Sequence, residues 1–138
     1  HAVALFLLDL DGFKPINDNH GHAAGDRILA EVGKRLQSAV RAGDTVARLG
    51  GDEFVILLGD LAGEAELAPG LARILELVAE PYGHDGRGAM LSASIGVALF
   101  QREDADPETL LQQADRAMYA AKRDGCNRFQ VFRAAGGR

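Results

Sequence analysis

The sequence predicts an α+β fold: a split βαββαβ core with a mostly antiparallel central sheet flanked by helices, plus a small hairpin arm. Three observations predict it. The 138-residue chain, long enough for one domain with one core, opens on a continuous apolar, β-prone run, Ala2–Asp9. Two later strand signals are separated by only Gly50-Gly51-Asp52, a tight hairpin. Segments of helical periodicity alternate with the strands, giving the order β-α-β-β-α-β-α-β. Such an order yields a split sheet with helices packed on one face.

Taken in order, the first run carries no polar alternation, so its strand is expected to be buried on both faces. It ends in an acidic turn, Asp9-Leu10-Asp11-Gly12. Residues Asn17–Asp26 are polar and Gly-rich and read as a loop or a loose first helical turn. A helix follows, with Ile28, Leu29, Val32, Leu36 and Val40 at helical spacing and Arg41-Ala42-Gly43 closing it. Val46–Leu49 and Glu53–Leu58 are the hairpin strands. Glu64–Glu80 reads as a helix with Leu71, Leu75 and Val78 on one face, its first turn made irregular by Pro69-Gly70. Met90–Leu99 is a further strand, preceded by a Gly-rich turn at Gly83–Gly88 that suggests the hairpin arm. Asp106-Pro107 opens the last helix, a capping acid followed by Pro at the first position. Its buried face is expected to carry Leu110, Leu111, Ala114, Met118 and Ala121, with Tyr119 also in the core; Gly125 ends it, and Phe129–Phe132 is the last strand.

Composition narrows the function classes. A net charge of -5 and a pI near 5.3 argue against a broad basic surface that grips a nucleic acid backbone. The single cysteine, Cys126, excludes an internal disulfide and a thiolate metal cluster and suits a reducing cytoplasm, the expected location. The longest apolar run, Ala2–Leu8, is too short to span a bilayer and lacks a signal peptide pattern, so no membrane contact is expected of this domain. Because the chain opens directly on a strand, it is expected to be cut from something longer.

Two constellations carry chemistry. Asp9 and Asp11 stand at a strand end, with Leu10 pointing to the core on the opposite parity. Carboxylates there, with a backbone carbonyl, can hold a hard cation such as Mg²⁺, and Lys14 offers charge to a phosphate. The bland alternative is a solvated acidic turn. In Arg48-Leu49-Gly50-Gly51-Asp52-Glu53-Phe54, two glycines let backbone approach a ligand and leave amide N–H groups free, and two acids follow. If the first strand lies beside this hairpin, Asp52 meets Asp9 and a divalent-metal site results. An ordinary hairpin with two exposed acids is the alternative. His20 and His22 lack a third ligand for zinc and read as packing or polar support; His1 and His84 carry no signal, and Ser94 lacks a His-Asp arrangement.

The chain resembles the GGDEF family of diguanylate cyclases. The resemblance rests on Gly50-Gly51-Asp52-Glu53-Phe54, Asp9-Leu10-Asp11-Gly12-Phe13-Lys14, Ile16-Asn17-Asp18, Gly21-His22, Gly25-Asp26, Ser94-Ile95-Gly96-Val97-Ala98, and Ala114-Asp115 through Ala117-Met118-Tyr119 to Ala121-Lys122, in family order over essentially the whole chain. It implies a palm-like nucleotidyl-cyclase fold and a single domain over 1–138 that lacks the family's usual N-terminal helix and segment. It implies condensation of two GTP into cyclic di-GMP across a homodimer, with Mg²⁺ or Mn²⁺. Asp9 and Asp52 would be the metal carboxylates, with the Leu10 carbonyl a further ligand. Glu53 would be a metal ligand or the base for the 3′-hydroxyl, the two roles remaining open. Asn17 and Asp26 resemble guanine readers, since a carboxylate accepts from N1–H and the 2-amino group of guanine and finds no equivalent on adenine. The Phe13 backbone, Lys14 and Lys122 resemble phosphate contacts.

One position departs from the family pattern: Cys126 stands where a cation usually touches the triphosphate, which implies weaker affinity there. Arg41-Ala42-Gly43-Asp44 matches the family's Arg-x-x-Asp product-inhibition site, with Arg73 a second contributor from a neighbouring domain. Alone, this segment is also explained as a helix C-terminal Arg followed by a turn Asp. Without the N-terminal segment, residues 1–138 are expected to turn over weakly. The competing readings are a non-catalytic sensor of GTP or cyclic di-GMP, and a nucleotidyl cyclase with another product.

Overall fold

The computed structural model describes residues 2–83, 90–101, 103 and 106–133. Strand β1 (Ala2–Asp11) is followed by helices α1 (Phe13–His20) and α2 (His22–Ser38), and by the hairpin β2 (Thr45–Gly50) and β3 (Glu53–Leu61). A 3₁₀ turn (Glu64–Glu66) leads into α3 (Leu67–Ala79); then come β4 (Ser92–Gln101), α4 (Pro107–Arg123) and β5 (Arg128–Val131). The sheet order is β2-β3-β1-β4-β5, antiparallel except for the β4–β5 pair. The expected α+β class and mostly antiparallel sheet are therefore present.

β1 is the central strand, and its unbroken apolar run is explained by two cores. Ala4, Phe6, Leu8 and Leu10 face α2 and α3, packing with Val32, Leu36, Leu71, Ile74 and Val78. Leu5 and Leu7 face the other way and pack with Ala98 against Leu110, Ala114 and Met118 of α4. Helices thus cover both faces, not the one expected. A strand apolar on both sides needs two covers, and α4 supplies the second. α4 comes so close that a Cβ on Gly96 of β4 would lie 1.9 Å from the Ala114 carbonyl oxygen and 2.3 Å from the Met118 nitrogen.

Other expectations are corrected. Of the two readings of Asn17–Asp26, the helical one holds and goes further, the segment being the end of α1 and the start of α2: Phe13 is buried and Ile16 packs on the core, and an i,i+3 apolar pair suffices to anchor a short helix. Pro69-Gly70 does not interrupt α3, because Pro69 falls in its first turn, where backbone N–H groups lack intrahelical partners anyway; the irregular turn lies upstream at Glu64–Glu66. Asp106 precedes α4 with Pro107 in the first turn as expected, but its carboxylate makes no bond to the helix backbone and takes the Thr109 hydroxyl instead. On α4, Tyr119 is 68% exposed and Leu111 37%, because the buried stripe runs through Leu110, Ala114, Ala117, Met118 and Ala121. The hairpin arm expected at Gly83–Gly88 lies, from residue 84 onward, outside the described residues.

Arg35 joins α2 to the end of α3, an arrangement its sequence position does not announce. Its guanidinium donates to the carbonyls of Leu77 (2.8 Å), Glu80 (2.8 Å) and Pro81 (2.9 Å) and lies 3.9 Å over the Tyr82 ring. It thereby satisfies C-terminal carbonyls that a helix leaves without partners.

Candidate active site

The site forms where β1 leaves the sheet beside the β2–β3 bend. β1 pairs with β3 until Asp9 stands opposite Glu53, and the Leu10 N–H then donates to the Asp52 carbonyl at 3.2 Å. The bend depends on Gly50 (φ 150°) and Gly51 (φ 52°), backbone conformations that side chains with a Cβ rarely adopt, and Arg48 Nε closes it by donating to the Gly51 carbonyl at 2.9 Å. This register brings residues from two distant stretches together: the Asp9 carboxylate stands close enough to Asp52 to perturb it.

The electrostatics reflect that crowding. Burial, then the adjacent Asp9 carboxylate, push the Asp52 carboxyl up to about 6. Burial, then the charges of Asp9 and Asp115, raise Glu53, with Lys122 opposing them. Asp9 Oδ1 is buried without a hydrogen-bond partner, while Asp9 Oδ2 receives Lys122 Nζ at 2.8 Å. Burial works against a charged Lys122, yet the bond to Asp9 and the charges of Asp9 and Asp11 outweigh it and hold the amine above its ordinary value. Lys122 comes from the last turn of α4, so the helix on the second face supplies the site's cation.

The other sequence candidates lie on α1 and α2. Asn17 rests its side chain against the bare Cα of Gly25, the residue before Asp26, and its Nδ2 lies 3.3 Å from His22 Nδ1. Asn17 thus packs on α2 one residue before Asp26, with its amide beside His22. Asp26 lines a groove of about 530 Å³ between α2 and the hairpin, with Leu29, Gly33, Val46, Arg48 and Phe54 among its walls. Lys14 is exposed on α1 and pairs with Asp18 at 3.1 Å; Phe13 is buried beneath it.

Arg41 and Asp44 lie away from these acids, at the turn into β2. Asp44, with its side chain only 4% exposed, accepts from the Arg41 N–H (3.0 Å), Arg41 Nε (3.2 Å) and the Gly59 N–H (3.3 Å). Arg41 also donates to the Gly59 carbonyl and remains 59% exposed. Arg73 is exposed on α3.

The sequence pairs Asp11 with Asp9 as a strand-end carboxylate able to hold a cation, but in the structure its oxygens are taken by protein donors. It accepts from the Ser92 hydroxyl (2.7 Å), the Ser94 hydroxyl (2.8 Å) and the Asn127 N–H (3.2 Å), and Lys122 Nζ lies 3.6 Å away. Burial would raise its carboxyl, but those bonds together hold it below the usual carboxylate value. The only available signal was the Asp-x-Asp pattern on one strand parity, which points Asp11 to the same face as Asp9.

Residues 1–128 match the family described as "Diguanylate cyclase, GGDEF domain". The chain belongs to the GGDEF family. This GGDEF domain is 43% identical over 122 residues to diguanylate cyclase TpbB of Pseudomonas aeruginosa, covering 88% of this chain and 28% of that protein. It is 42% identical over 129 residues to the bifunctional diguanylate cyclase/cyclic di-GMP phosphodiesterase MucR of the same organism, covering 94% of this chain and 19% of MucR. Against the crystal structure of the TpbB GGDEF domain the TM-score is 0.88 at 41% identity, over 95% of this chain and 82% of that one. The GGDEF domain of DgcB from Caulobacter crescentus, solved in complex with c-di-GMP, gives a TM-score of 0.82 at 27% identity, over 94% of this chain and 77% of that one. The chain spans less than a third of the length of the two curated relatives, 28% and 19%. No helix among the described residues is long and apolar enough to cross a membrane.

Whether the residues fit a divalent cation can be tested on the chain itself. Among the described residues, no three His, Cys, Asp or Glu side chains are grouped as a metal site. The fit rests instead on the Asp9–Asp52 pair: a buried carboxylate oxygen without a donor, beside a second carboxyl that its neighbour makes costly to ionise, is what a cation would relieve.

Proposed function

We propose that this GGDEF domain is a diguanylate cyclase, each domain binding one GTP and two facing domains joining them into cyclic di-GMP with release of pyrophosphate. The observation that carries the reading is the convergence of Asp9 and Asp52 beside the glycine bend. Asp9 and Asp52, with the Leu10 carbonyl and Glu53 as further candidates, would hold Mg²⁺ or Mn²⁺. When bound, such an ion supplies charge stabilisation at the reacting phosphate and lowers the pKa of an attacking hydroxyl.

The chain's own residues do the rest. Asp26 and Asn17 read guanine, the carboxylate accepting from N1–H and the 2-amino group, and His22 holds the Asn17 amide in orientation. The backbone of the Gly50-Gly51 bend and of Phe13 approaches phosphate, and Lys14 and Lys122 add charge. Glu53, raised by burial and by Asp9 and Asp115, is the candidate acceptor of the 3′-hydroxyl proton. The 3′-oxygen of one GTP bonds to the α-phosphorus of the other, the bond to the β-phosphate bridge breaks, and pyrophosphate leaves; the same step on the opposite pair closes the ring. Because little covalent chemistry falls to the protein, positioning and charge carry the catalysis.

Arg41 and Asp44 form the product-inhibition site in this reading, with Arg73 of a second domain contributing. Cytoplasmic operation and catalysis as a homodimer are part of the same proposal. The test is incubation with GTP and Mg²⁺ or Mn²⁺ and chromatographic resolution of products: cyclic di-GMP supports the reading, whereas measurable GTP binding with unchanged GTP supports a sensor, the reading that Cys126 favours by removing a cation from the phosphate side. Arg41→Ala is expected to relieve product inhibition with little change in initial rate. Undiminished inhibition by added cyclic di-GMP would reject that site.

A further inference from the structure

Three segments far apart in the chain, β1, β4 and the end of α4 with its following turn, meet at one carboxylate that the proposed chemistry leaves unassigned. Asp11 takes hydroxyl donors from Ser92 and Ser94 on β4 and the backbone N–H of Asn127 in the α4–β5 turn, and it lies beside the ammonium of Lys122 at the end of α4. The turn it grips is unusual: Cys126 (φ 64°) and Asn127 (φ 51°) are consecutive non-glycine residues in left-handed conformation. Such backbone costs energy and persists only where surrounding bonds hold it. Among the bonds that hold it are Cys126 N–H to the Ala121 carbonyl at 3.0 Å, Gly125 N–H to the Lys122 carbonyl at 3.2 Å, Arg128 Nε to the Cys126 carbonyl at 3.0 Å, and Asn127 N–H to Asp11.

The consequence falls on Lys122. Its Nζ is drawn to Asp9 Oδ2 at 2.8 Å and to Asp11 Oδ1 at 3.6 Å, and its own carbonyl lies in the turn, 3.8 Å from Cys126 Sγ. With a cysteine rather than a cation at 126, Lys122 is the amine this end of α4 directs at the acids. We propose that Asp11 is a positioning residue that sets Lys122 in place for the triphosphate, by holding its ammonium from one side and pinning the α4–β5 turn from the other. The proposal rests on the cyclase reading for the identity of the phosphate ligand, but not for the geometry. The two serines satisfy the lone pairs of Asp11 that Lys122 and the turn leave unused, which keeps the carboxylate stationary.

A double-mutant cycle tests it. GTP affinity in the presence of Ca²⁺, in place of the Mg²⁺ or Mn²⁺ of the proposed chemistry, is measured for the parent, Asp11→Asn, Lys122→Ala and the double variant. Asp11→Asn is expected to weaken GTP binding about 5- to 10-fold, and to weaken it no further once Lys122 is gone. Full additivity would overturn the proposal, because Asp11 would then act independently of Lys122. In turnover, KM should rise more than kcat falls, the signature of lost uniform binding. The acylation rate of Lys122 by acetic anhydride, read by peptide mass spectrometry without nucleotide, separates failure of this inference from failure of the cyclase reading. A several-fold faster rate in folded Asp11→Asn supports the positioning role even if GTP does not bind, and an unchanged rate rejects it even if GTP does. Ser92→Ala with Ser94→Ala, which leaves the Asp11 charge intact, should move the same readouts in the same direction by a smaller factor; if Asp11→Asn fails to fold, this variant carries the test, and an unmoved acylation rate in it rejects the proposal.

Discussion

Replacing Asp52 by Asn should stabilise the metal-free domain while destroying its chemistry. Burial and Asp9 raise the Asp52 carboxyl from 3.8 to about 6, so the folded state binds that proton more tightly than the unfolded chain. The sign follows. Above about pH 6 the ionised group costs stability, and the cost fades as pH falls through 6 toward the unfolded value. Raising a carboxyl from 3.8 to about 6 corresponds to about 3 kcal/mol if fully expressed. Asp52 is only half-buried, so solvent screening reduces this to about 1 kcal/mol. For a domain of this size, ~1 kcal/mol is about 3–6 °C in Tm. The Asn amide also offers a donor to the neighbouring Asp9 carboxylate, which has an unpartnered oxygen. The assay is thermal unfolding by circular dichroism in EDTA, near pH 7.5 and again near pH 4.5. Asp52→Asn should melt higher than the parent at the upper pH and about equally at the lower. Saturating Mn²⁺ should then raise the parent's Tm and leave the variant's unchanged, and cyclic di-GMP formation should be lost. A variant no more stable than the parent in EDTA at pH 7.5 would refute the carboxylate crowding on which the metal assignment rests.

Further consequences concern the scaffold. Gly96→Ala drives a Cβ into the backbone of α4 at the Ala114 carbonyl and Met118 nitrogen, atoms that cannot swing aside, and should cost about 3 kcal/mol in urea unfolding. Arg35→Met removes the donors to three carbonyls at the end of α3 and the contact with Tyr82, and should cost about 2–3 kcal/mol by the same measurement; a near-neutral result would mean water replaces the guanidinium. Tyr119→Ser, on the exposed side of α4, should change stability by no more than about 0.5 kcal/mol, and a larger loss would show that the ring packs on something in solution.

What could be read from the chain alone was whatever is written locally. The apolar run of β1, the glycine bend, the helical spacing of Ile28, Leu29, Val32 and Leu36, and Asp-Pro at the start of α4 each declare an element within a few residues, since backbone preference and apolar period are short-range properties. The acids at the end of β1 and after the bend were legible as chemistry for the same reason. Tertiary structure alone decided the rest. An apolar strand says that both faces are covered but not by which helix, so α4 on the second face, and with it the approach of Lys122 to Asp9, came only from packing. Helix α1 was hidden because a polar segment is held by just Phe13 and Ile16 against the core. Asp11 is the sharpest case: its partners lie 81, 83 and 116 residues away. A hydrogen bond between such positions leaves no periodicity behind, because polar side chains choose partners by where the fold carries them.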